Sequence, residues 1–205
     1  MFQKKKPRLA ILISGRGSNM KTLLNKVKEG KLKASVELVF SDKRDAKGLN
    51  TAESFGVKTI SFAPKQFDTF EEYEKKLVQT LQEAGVEWII CAGYMRILKK
   101  SMLKAFPLRI VNIHPSLLPA FPGLRPQQQA ISYGVKTTGC TVHFVDEGVD
   151  SGPIILQGTV RVESDDTEDS LAGKIIAIEH ELYWKGIQQV LNGFIIEGRK
   201  VIFTD

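Results

Sequence analysis

Two residues suited to chemistry, Asn112 and His114, are separated by one position in this 205-residue chain. They end a short apolar run and open a proline-rich stretch, which places them at the carboxyl end of a predicted strand, where open parallel sheets bind ligands. An asparagine amide can donate to a developing oxyanion, and an imidazole can transfer a proton. The competing interpretation is a turn cap next to a surface histidine, which is the commoner role of such a pair.

Asp150 favours the catalytic interpretation. It lies in a glycine-containing turn, residues 146–152, predicted between two antiparallel strands. A carboxylate there could orient the His114 imidazole and favour its charged form. Asp-Ser-Gly is also a common sequence in hairpin turns, so a purely structural turn remains the alternative.

A glycine turn follows the first apolar run, where Gly15, Gly17, Ser18 and Asn19 precede a helical pattern. The turn is two-thirds of a GxGxxG motif, with Met20 in place of the third glycine, so it is only a weak indication of dinucleotide binding. Amides at a helix start, together with hydroxyl and amide side chains, suit a phosphate. A tight turn with a simple helix cap is the alternative.

The other reactive residue types indicate neither a metal site nor a covalent nucleophile. No HExxH, HxH or clustered Cys/His spacing occurs, and we expect no metal. Cys91 and Cys140 lie in apolar segments, and Ser116 lacks a GxSxG context. His143, inside an alternating strand, is interpreted as structural, and His180 as a solvated or packing residue.

The apolar pattern predicts the elements that must position these groups. Five apolar runs, residues 9–13, 36–40, 57–62, 88–92 and 110–113, alternate with helical patterns, as in a parallel sheet covered on both faces. Two antiparallel strands follow, residues 139–145 and 153–162, then a helix capped by Asp165 and Glu168 and an extended tail. We therefore expect an α/β, doubly wound, mostly parallel Rossmann-like sheet with helices on both faces and an antiparallel strand pair in the C-terminal half.

Composition excludes several classes of protein. At 42% hydrophobic and 25% charged residues, the chain is neither disordered, nor collagen-like, nor a disulfide scaffold. Its apolar runs are far shorter than the ~20 residues that cross a bilayer. Two separated cysteines and no export signal favour the cytoplasm. No linker or repeat interrupts the chain, so we expect one domain over residues 1–205.

The net charge of +6 comes mainly from a basic tail, residues 1–8. Four basic residues and no acidic ones fall there, and the rest of the chain has 25 basic against 23 acidic residues. The nearly balanced body does not predict nucleic-acid binding.

Four blocks of sequence, in order and spacing, resemble the folate-dependent phosphoribosylglycinamide formyltransferases. They read ISGRGSN at residues 13–19, AGYMRIL at 92–98, NIHPSLLP at 112–119 and DEGVDSG at 146–152. The resemblance implies transfer of the formyl group of 10-formyltetrahydrofolate, a co-substrate, to the amine of 5'-phosphoribosylglycinamide in purine synthesis. It implies small-molecule substrates, no membrane or nucleic-acid partner, and a monomer or homodimer.

The resemblance also implies roles for individual residues. Asn112, His114 and Asp150 match the catalytic residues, and Asn112 also matches the folate site. Gly17, Ser18 and Asn19 match the ribonucleotide phosphate loop, and Glu179 matches an acidic residue near the ribonucleotide. The backbone that holds the folate pterin corresponds to Met95, Arg96, Ile97 and Leu98. Of the two halves of the chain, the N-terminal one is expected to bind the ribonucleotide phosphate and the C-terminal one to hold the folate site.

The sequence departs from the family pattern at one position, and two alternative functions remain open. Phe70 stands where some relatives have a basic residue for the folate glutamate tail, and Lys65 could substitute for it. A formyltetrahydrofolate deformylase-like hydrolase and a non-catalytic nucleotide-binding module are the alternative functions. The sister methionyl-tRNA formyltransferases and the deformylases each carry an additional domain, for which we expect no room in this chain.

Overall fold

The computed structural model describes residues 5–204, which divide into two compact units, residues 5–111 and 112–204. The division falls within a strand, β5 (Ile110–His114). The prediction of a single domain stays a prediction. Of the predicted basic tail, residues 1–4 lie outside the described residues, and Arg8 is already the first residue of a strand.

Strands and helices alternate in the first unit, as the apolar pattern predicts. The strands are β1 (Arg8–Ile13), β2 (Ser35–Ser41), β3 (Thr59–Ser61) and β4 (Trp88–Cys91). The helices are α1 (Ser18–Lys28), α2 (Lys47–Ser54), α3 (Phe70–Glu83) and α4 (Lys100–Ala105), with a 3-10 helix at Pro64–Gln66. Continuous runs such as those of β1 and β4 are buried along nearly their whole length, which explains their lack of polar alternation.

The strand order in this unit is β3-β2-β1-β4, and the β1–β2, β1–β4 and β2–β3 pairs are parallel. The chain therefore moves outward from β1 to β3 and then returns through α3 to the other side of β1. Right-handed crossovers in opposite directions place their helices on opposite faces of the sheet. The loops after β1 and β4 consequently diverge at a topological switch point, the usual ligand position of such sheets.

The second unit contains α5 (Pro126–Tyr133), β6 (Thr137–Phe144), β7 (Ile154–Arg161), α6 (Glu168–Asn192), β8 (Phe194–Glu197) and β9 (Lys200–Phe203). The predicted antiparallel pair is confirmed as β6 and β7. The tail is extended, as expected, but folds as an antiparallel hairpin of β8 and β9, with β9 parallel to β7.

The fold class is the expected one, a doubly wound, mostly parallel α/β sheet with an antiparallel pair in the C-terminal half. One predicted cap is wrong: Thr167, not Asp165, caps α6. Thr167 Oγ1 accepts from the Ser170 amide and Ser170 Oγ accepts from the Thr167 amide, a reciprocal pair that leaves Glu168 inside the helix. Among residues 5–204, no helix is long and apolar enough to cross a membrane.

Two glycines hold the loop after β1 against α2. Gly17 has φ 72°, which favours glycine, and a Cβ atom there would lie 3.3 Å from the Gly48 Cα. The Gly48 amide donates to the Gly15 carbonyl oxygen at 3.0 Å. A Cβ on Gly48 would lie 2.5 Å from Ile13 Cδ1 and 3.0 Å from that same oxygen. The path of the loop therefore depends on the absence of side chains at both positions.

We expect Gly48→Ala to lower the free energy of unfolding by about 1–3 kcal/mol, because the added methyl group overpacks the loop. Gly173→Ala is the control, since a Cβ there meets no atom within 4 Å and the helix interior gains about 0.5–1 kcal/mol. Urea denaturation of both variants measures the difference. Equal effects of the two substitutions would contradict the packing argument.

Candidate active site

The predicted phosphate loop lies between β1 and α1. Gly17 precedes the first helical residue, Ser18, and has a left-handed backbone. The first-turn amides of a helix point out of its end, toward any ligand bound there. Ser18 is exposed and Asn19 is buried. The site residues predicted here, Gly17, Ser18 and Asn19, thus form a helix start that can accept an anion.

The segment after β4 adjoins this loop within the first unit. The Ser14 amide donates to the Gly93 carbonyl oxygen at 3.0 Å, and the Met95 amide donates to Ser14 Oγ at 2.9 Å. Met95 and Ile97 are 65% and 59% exposed although they are large apolar side chains. The structure therefore brings two of the predicted binding segments together at the switch point, with apolar side chains available to a ring system.

A cavity of about 710 Å³ in the first unit also reaches this segment. Its cationic lining residues are Lys43, Arg44, Lys65 and Arg96, and its anionic ones are Asp42 and Asp45. Asp42 is paired with Arg96 at 2.8 Å, so most of the remaining charge in the lining is positive. Such a cavity suits an anionic ligand.

In the second unit, β5 and the loop between β6 and β7 bring the three predicted catalytic residues together. His114 Nδ1 lies 3.2 Å from Asp150 Oδ2, and His114 Nε2 lies 2.9 Å from the Phe121 carbonyl oxygen. Both neighbours accept hydrogen bonds, so each ring nitrogen of His114 faces an acceptor. Asn112 precedes by two residues and therefore projects to the same side of β5. The arrangement can hold a proton at His114 beside an amide donor.

The position of Asp150 is fixed by the loops around it. Its backbone is left-handed, with φ 51°, and its Oδ2 also accepts from the Gly123 amide at 2.9 Å. Asp146 closes the same loop, because its Oδ1 accepts from Ser151 Oγ at 2.6 Å and from the Gly148 amide at 3.1 Å. The carboxylate is thus held by hydrogen bonds rather than by a strand.

His143, interpreted from the sequence as structural, contacts the site directly. Its Nδ1 lies 2.8 Å from the Phe144 carbonyl oxygen, which can only accept, so Nδ1 carries the hydrogen. Burial lowers the pKa of His143, which keeps the ring neutral and leaves Nε2 as an acceptor. The Asn112 amide nitrogen, 3.2 Å away, therefore donates one hydrogen to His143 and retains a second. The alternation of β6 placed His143 on a strand but gave no sign of this partner.

The proline-rich loop is ordered by a threonine that sequence reasoning also missed. Thr141 Oγ1 donates to the Ser116 carbonyl oxygen at 2.7 Å and accepts from the Leu118 amide at 3.0 Å. The Leu118–Pro119 peptide is cis. Ser116 Oγ donates to the Ala120 carbonyl oxygen, a bond internal to the loop.

Burial raises the pKa of the Cys91 and Cys140 thiols to about 12. Neither thiol is ionised near neutral pH, and neither can act as a nucleophile there. Glu179 is buried on α6. No group of three or more metal-ligating side chains occurs among residues 5–204.

A parallel sheet with a switch point and an Asn–His–Asp set is consistent with group-transfer chemistry, and the sequence comparison identifies the family. Residues 7–187 match the family model described as formyl transferase, so the chain belongs to the formyl transferase family.

Two relatives and one solved structure show which proteins the chain is similar to. The phosphoribosylglycinamide formyltransferase of Bacillus subtilis is 40% identical over 90% of this chain and 95% of its own length. The trifunctional purine biosynthetic protein adenosine-3 of Drosophila melanogaster is 42% identical over 94% of this chain, which spans only 14% of that protein. The crystal structure of glycinamide ribonucleotide transformylase 1 from Symbiobacterium toebii is similar with a TM-score of 0.98 and 45% identity, covering 100% of this chain and 98% of that one.

The contact of His143 predicts a pH dependence of stability. Because burial lowers its pKa, the unfolded chain binds a proton at a higher pH than the folded chain. Below about pH 6.5 the wild type therefore loses stability that His143→Gln, with no ring to protonate, retains. We expect the difference in free energy of unfolding between the two proteins to shrink from about pH 7.5 to about pH 5.5 in urea denaturation. A difference that stays constant with pH would show that His143 is not held neutral.

Proposed function

We propose that this protein transfers the formyl group of 10-formyltetrahydrofolate to the amine of 5'-phosphoribosylglycinamide, giving the N-formyl product and tetrahydrofolate in purine biosynthesis. The observation that carries the proposal is the cluster of Asn112, which is hydrogen-bonded to His143, with the His114–Asp150 pair, in a chain about 40% identical to named phosphoribosylglycinamide formyltransferases. Folate is the formyl-donor co-substrate, and no metal takes part.

Asn112 is the oxyanion donor in this mechanism. The substrate amine attacks the formyl carbon, and the carbonyl oxygen gains negative charge as the carbon becomes tetrahedral. The amide hydrogen that Asn112 does not give to His143 is available to that oxygen. A donor already fixed by another bond stabilises the charge without first having to reorient.

His114 moves the proton. The attacking nitrogen must lose a proton and the departing folate nitrogen must gain one, so one group that holds and returns a proton serves both steps. Asp150, 3.2 Å from Nδ1, orients the ring. No covalent enzyme intermediate is required, which suits a chain whose two thiols are un-ionised near neutral pH.

The binding roles follow the resemblance. Gly17, Ser18 and Asn19 take the ribonucleotide phosphate at the start of α1, and Glu179 contacts the ribonucleotide. The backbone of Met95, Arg96, Ile97 and Leu98 binds the pterin, with Asn112 also facing the folate. The whole chain acts as one formyltransferase domain in the cytoplasm, as a monomer or homodimer, without nucleic acid or membrane.

Removing the oxyanion donor tests this function. We expect Asn112→Ala to lower turnover by roughly a hundredfold or more, about 2.7–4 kcal/mol of transition-state stabilisation. The assay follows folate absorbance with 10-formyltetrahydrofolate and 5'-phosphoribosylglycinamide. Asn50→Ala, at an exposed asparagine of α2, is the control and should keep wild-type turnover.

The same assay separates the alternatives. Folate release at equal rates with and without the ribonucleotide would identify a deformylase-like hydrolase. No release under any condition would leave a nucleotide-binding module, whose binding His114→Ala would not impair. In the transferase, His114→Ala loses turnover and keeps the fold.

The cavity lined by Lys43, Arg44, Lys65 and Arg96 is the place we assign to the folate glutamate tail. Phe70, where some relatives are basic, packs against Tyr73 at 5.4 Å between ring centroids and does not line the cavity. Of the cations that line the cavity, Lys65 is the nearest to Phe70 in sequence, and it supplies the positive charge that Phe70 lacks.

We expect Lys65→Gln to weaken the apparent affinity for the folate donor, raising its KM roughly twofold to fivefold, as for an exposed ion pair. The KM for a formyl donor that lacks the glutamate, the corresponding formyltetrahydropteroate, should not change. Lys76→Gln, on the exposed face of α3, is the control. Equal KM changes for both donors would place the tail elsewhere.

A further inference from the structure

In the segment Met95 to Leu98, most backbone groups lack a hydrogen-bond partner among the described residues. Within residues 5–204, no hydrogen bond is found for the amide or carbonyl groups of Arg96, Ile97 and Leu98. Unpaired backbone groups must be satisfied by water or by a ligand. A loop with so few bonds of its own would be mobile unless groups outside it held its ends. Both ends are held, in each case by a buried carboxylate.

Asp42 holds the first end. It follows β2, is 1% exposed, and its Oδ1 accepts from Ser14 Oγ at 2.6 Å. Because a carboxylate only accepts, the Ser14 hydroxyl hydrogen points to Asp42, and its oxygen is left to accept from the Met95 amide at 2.9 Å. The other carboxylate oxygen, Oδ2, accepts from Arg96 Nε at 2.8 Å. One side chain therefore fixes a backbone amide and the next side chain together.

Glu74 holds the second end. It lies on α3 and is 2% exposed. Its Oε1 accepts from the Lys99 amide at 2.5 Å, and its Oε2 accepts from the amides of Ser101 and Met102 at 3.1 and 3.3 Å. Lys99, the N-cap residue of α4, makes no side-chain cap of its own, so Glu74 caps that helix from another element.

The surroundings of α3 make these contacts rigid. The Tyr73 and Tyr94 hydroxyls are hydrogen-bonded at 2.6 Å, which ties α3 to the loop on the other side of the segment. Lys99 Nζ lies 4.8 Å from the centre of the Phe70 ring. Phe70, the departure from a basic residue, thus packs against Lys99 beside the second end of the segment.

We propose that Asp42 and Glu74 are positioning residues that hold the backbone of Met95 to Leu98 in its ligand-binding form and thereby set the affinity for the formyl donor. The inference rests on the proposed function, which assigns the pterin to this backbone. Two buried carboxylates are costly unless several donors surround them. Here the donors are Ser14 and Arg96 at the first end and the backbone amides just past the second end. A segment fixed in advance loses less entropy when it binds.

Glu74→Gln is the first test, because it keeps the shape of the side chain but turns an NH2 group toward backbone amides. We expect the KM for the formyl donor to rise about tenfold. The KM for the ribonucleotide and kcat at saturating donor should stay within about twofold. At saturating concentration the donor itself holds the segment in its bound form, so only the affinity for the donor should change. Glu74→Asp, which retains the carboxylate, should recover part of the loss. Glu72→Gln, exposed two residues away on α3, is the matched control.

Asp42→Asn keeps an acceptor for Ser14 but opposes Arg96 Nε with a donor. It should raise the donor KM roughly fivefold, while Asp68→Asn, which removes an exposed carboxylate that does not line the cavity, should not. This variant carries the test if Glu74→Gln does not fold.

Calorimetric titration of each variant with tetrahydrofolate, without ribonucleotide, separates the two proposals. A wild type that binds no folate and transfers no formyl group refutes the proposed function. The positioning role is overturned if the wild type binds folate and transfers the formyl group while the variants unfold at a lower temperature but bind folate as tightly as the wild type. Equal rises in the KM for both substrates would overturn it as well.

Discussion

One carboxylate, that of Asp150, connects the segments that carry the polar residues of the second unit. Its Oδ2 accepts from the Gly123 amide in the proline-rich loop and faces His114 at the end of β5, while its own backbone belongs to the loop between β6 and β7. A left-handed backbone is costly for a residue other than glycine, so these contacts must offset that cost. The ring orientation, the loop path and the position of the carboxylate are therefore coupled, and a change in one of them changes the others.

The same principle orders the first unit. Loops at the carboxyl ends of parallel strands leave the ladder of hydrogen bonds, and their amides need acceptors from elsewhere. A carboxylate offers about four acceptor positions and can serve several amides at once. Glu74 accepts from three backbone amides next to the segment after β4, Asp42 accepts from Ser14 Oγ and Arg96 Nε, and Asp150 accepts from the Gly123 amide of the proline-rich loop. Each of these carboxylates thus orders a loop and at the same time leaves other groups of that loop for a ligand.

The sequence predicts what depends on short spacings and misses what depends on distant partners. Continuous apolar runs located β1 and β4, and the alternate spacing of Asn112 and His114 placed both on one side of β5. The bond between Asn112 and His143 joins residues 31 positions apart, and no local pattern records it. The cap of α6 was misplaced for a local reason, since Asp165 and Thr167 both precede a suitable partner three residues later and only the backbone path decides between them.

The groups in the second unit limit the chemistry that it can perform. The Cys140 thiol, with a pKa of about 12, provides no nucleophile, whereas in the proposed mechanism an amide, an imidazole and a carboxylate provide a donor, a proton carrier and an orienting charge. Moving a formyl group from one nitrogen to another requires those three functions, because the substrate amine is itself the nucleophile. Water could act as the nucleophile with the same three groups, which would give hydrolysis. Transfer must therefore be favoured over hydrolysis by the binding of the substrate amine rather than by the amide, imidazole and carboxylate. Under the proposed function, the specificity of the reaction depends on the loops that bind the substrates, and the proposed positioning role makes the buried carboxylates that order those loops contribute to it.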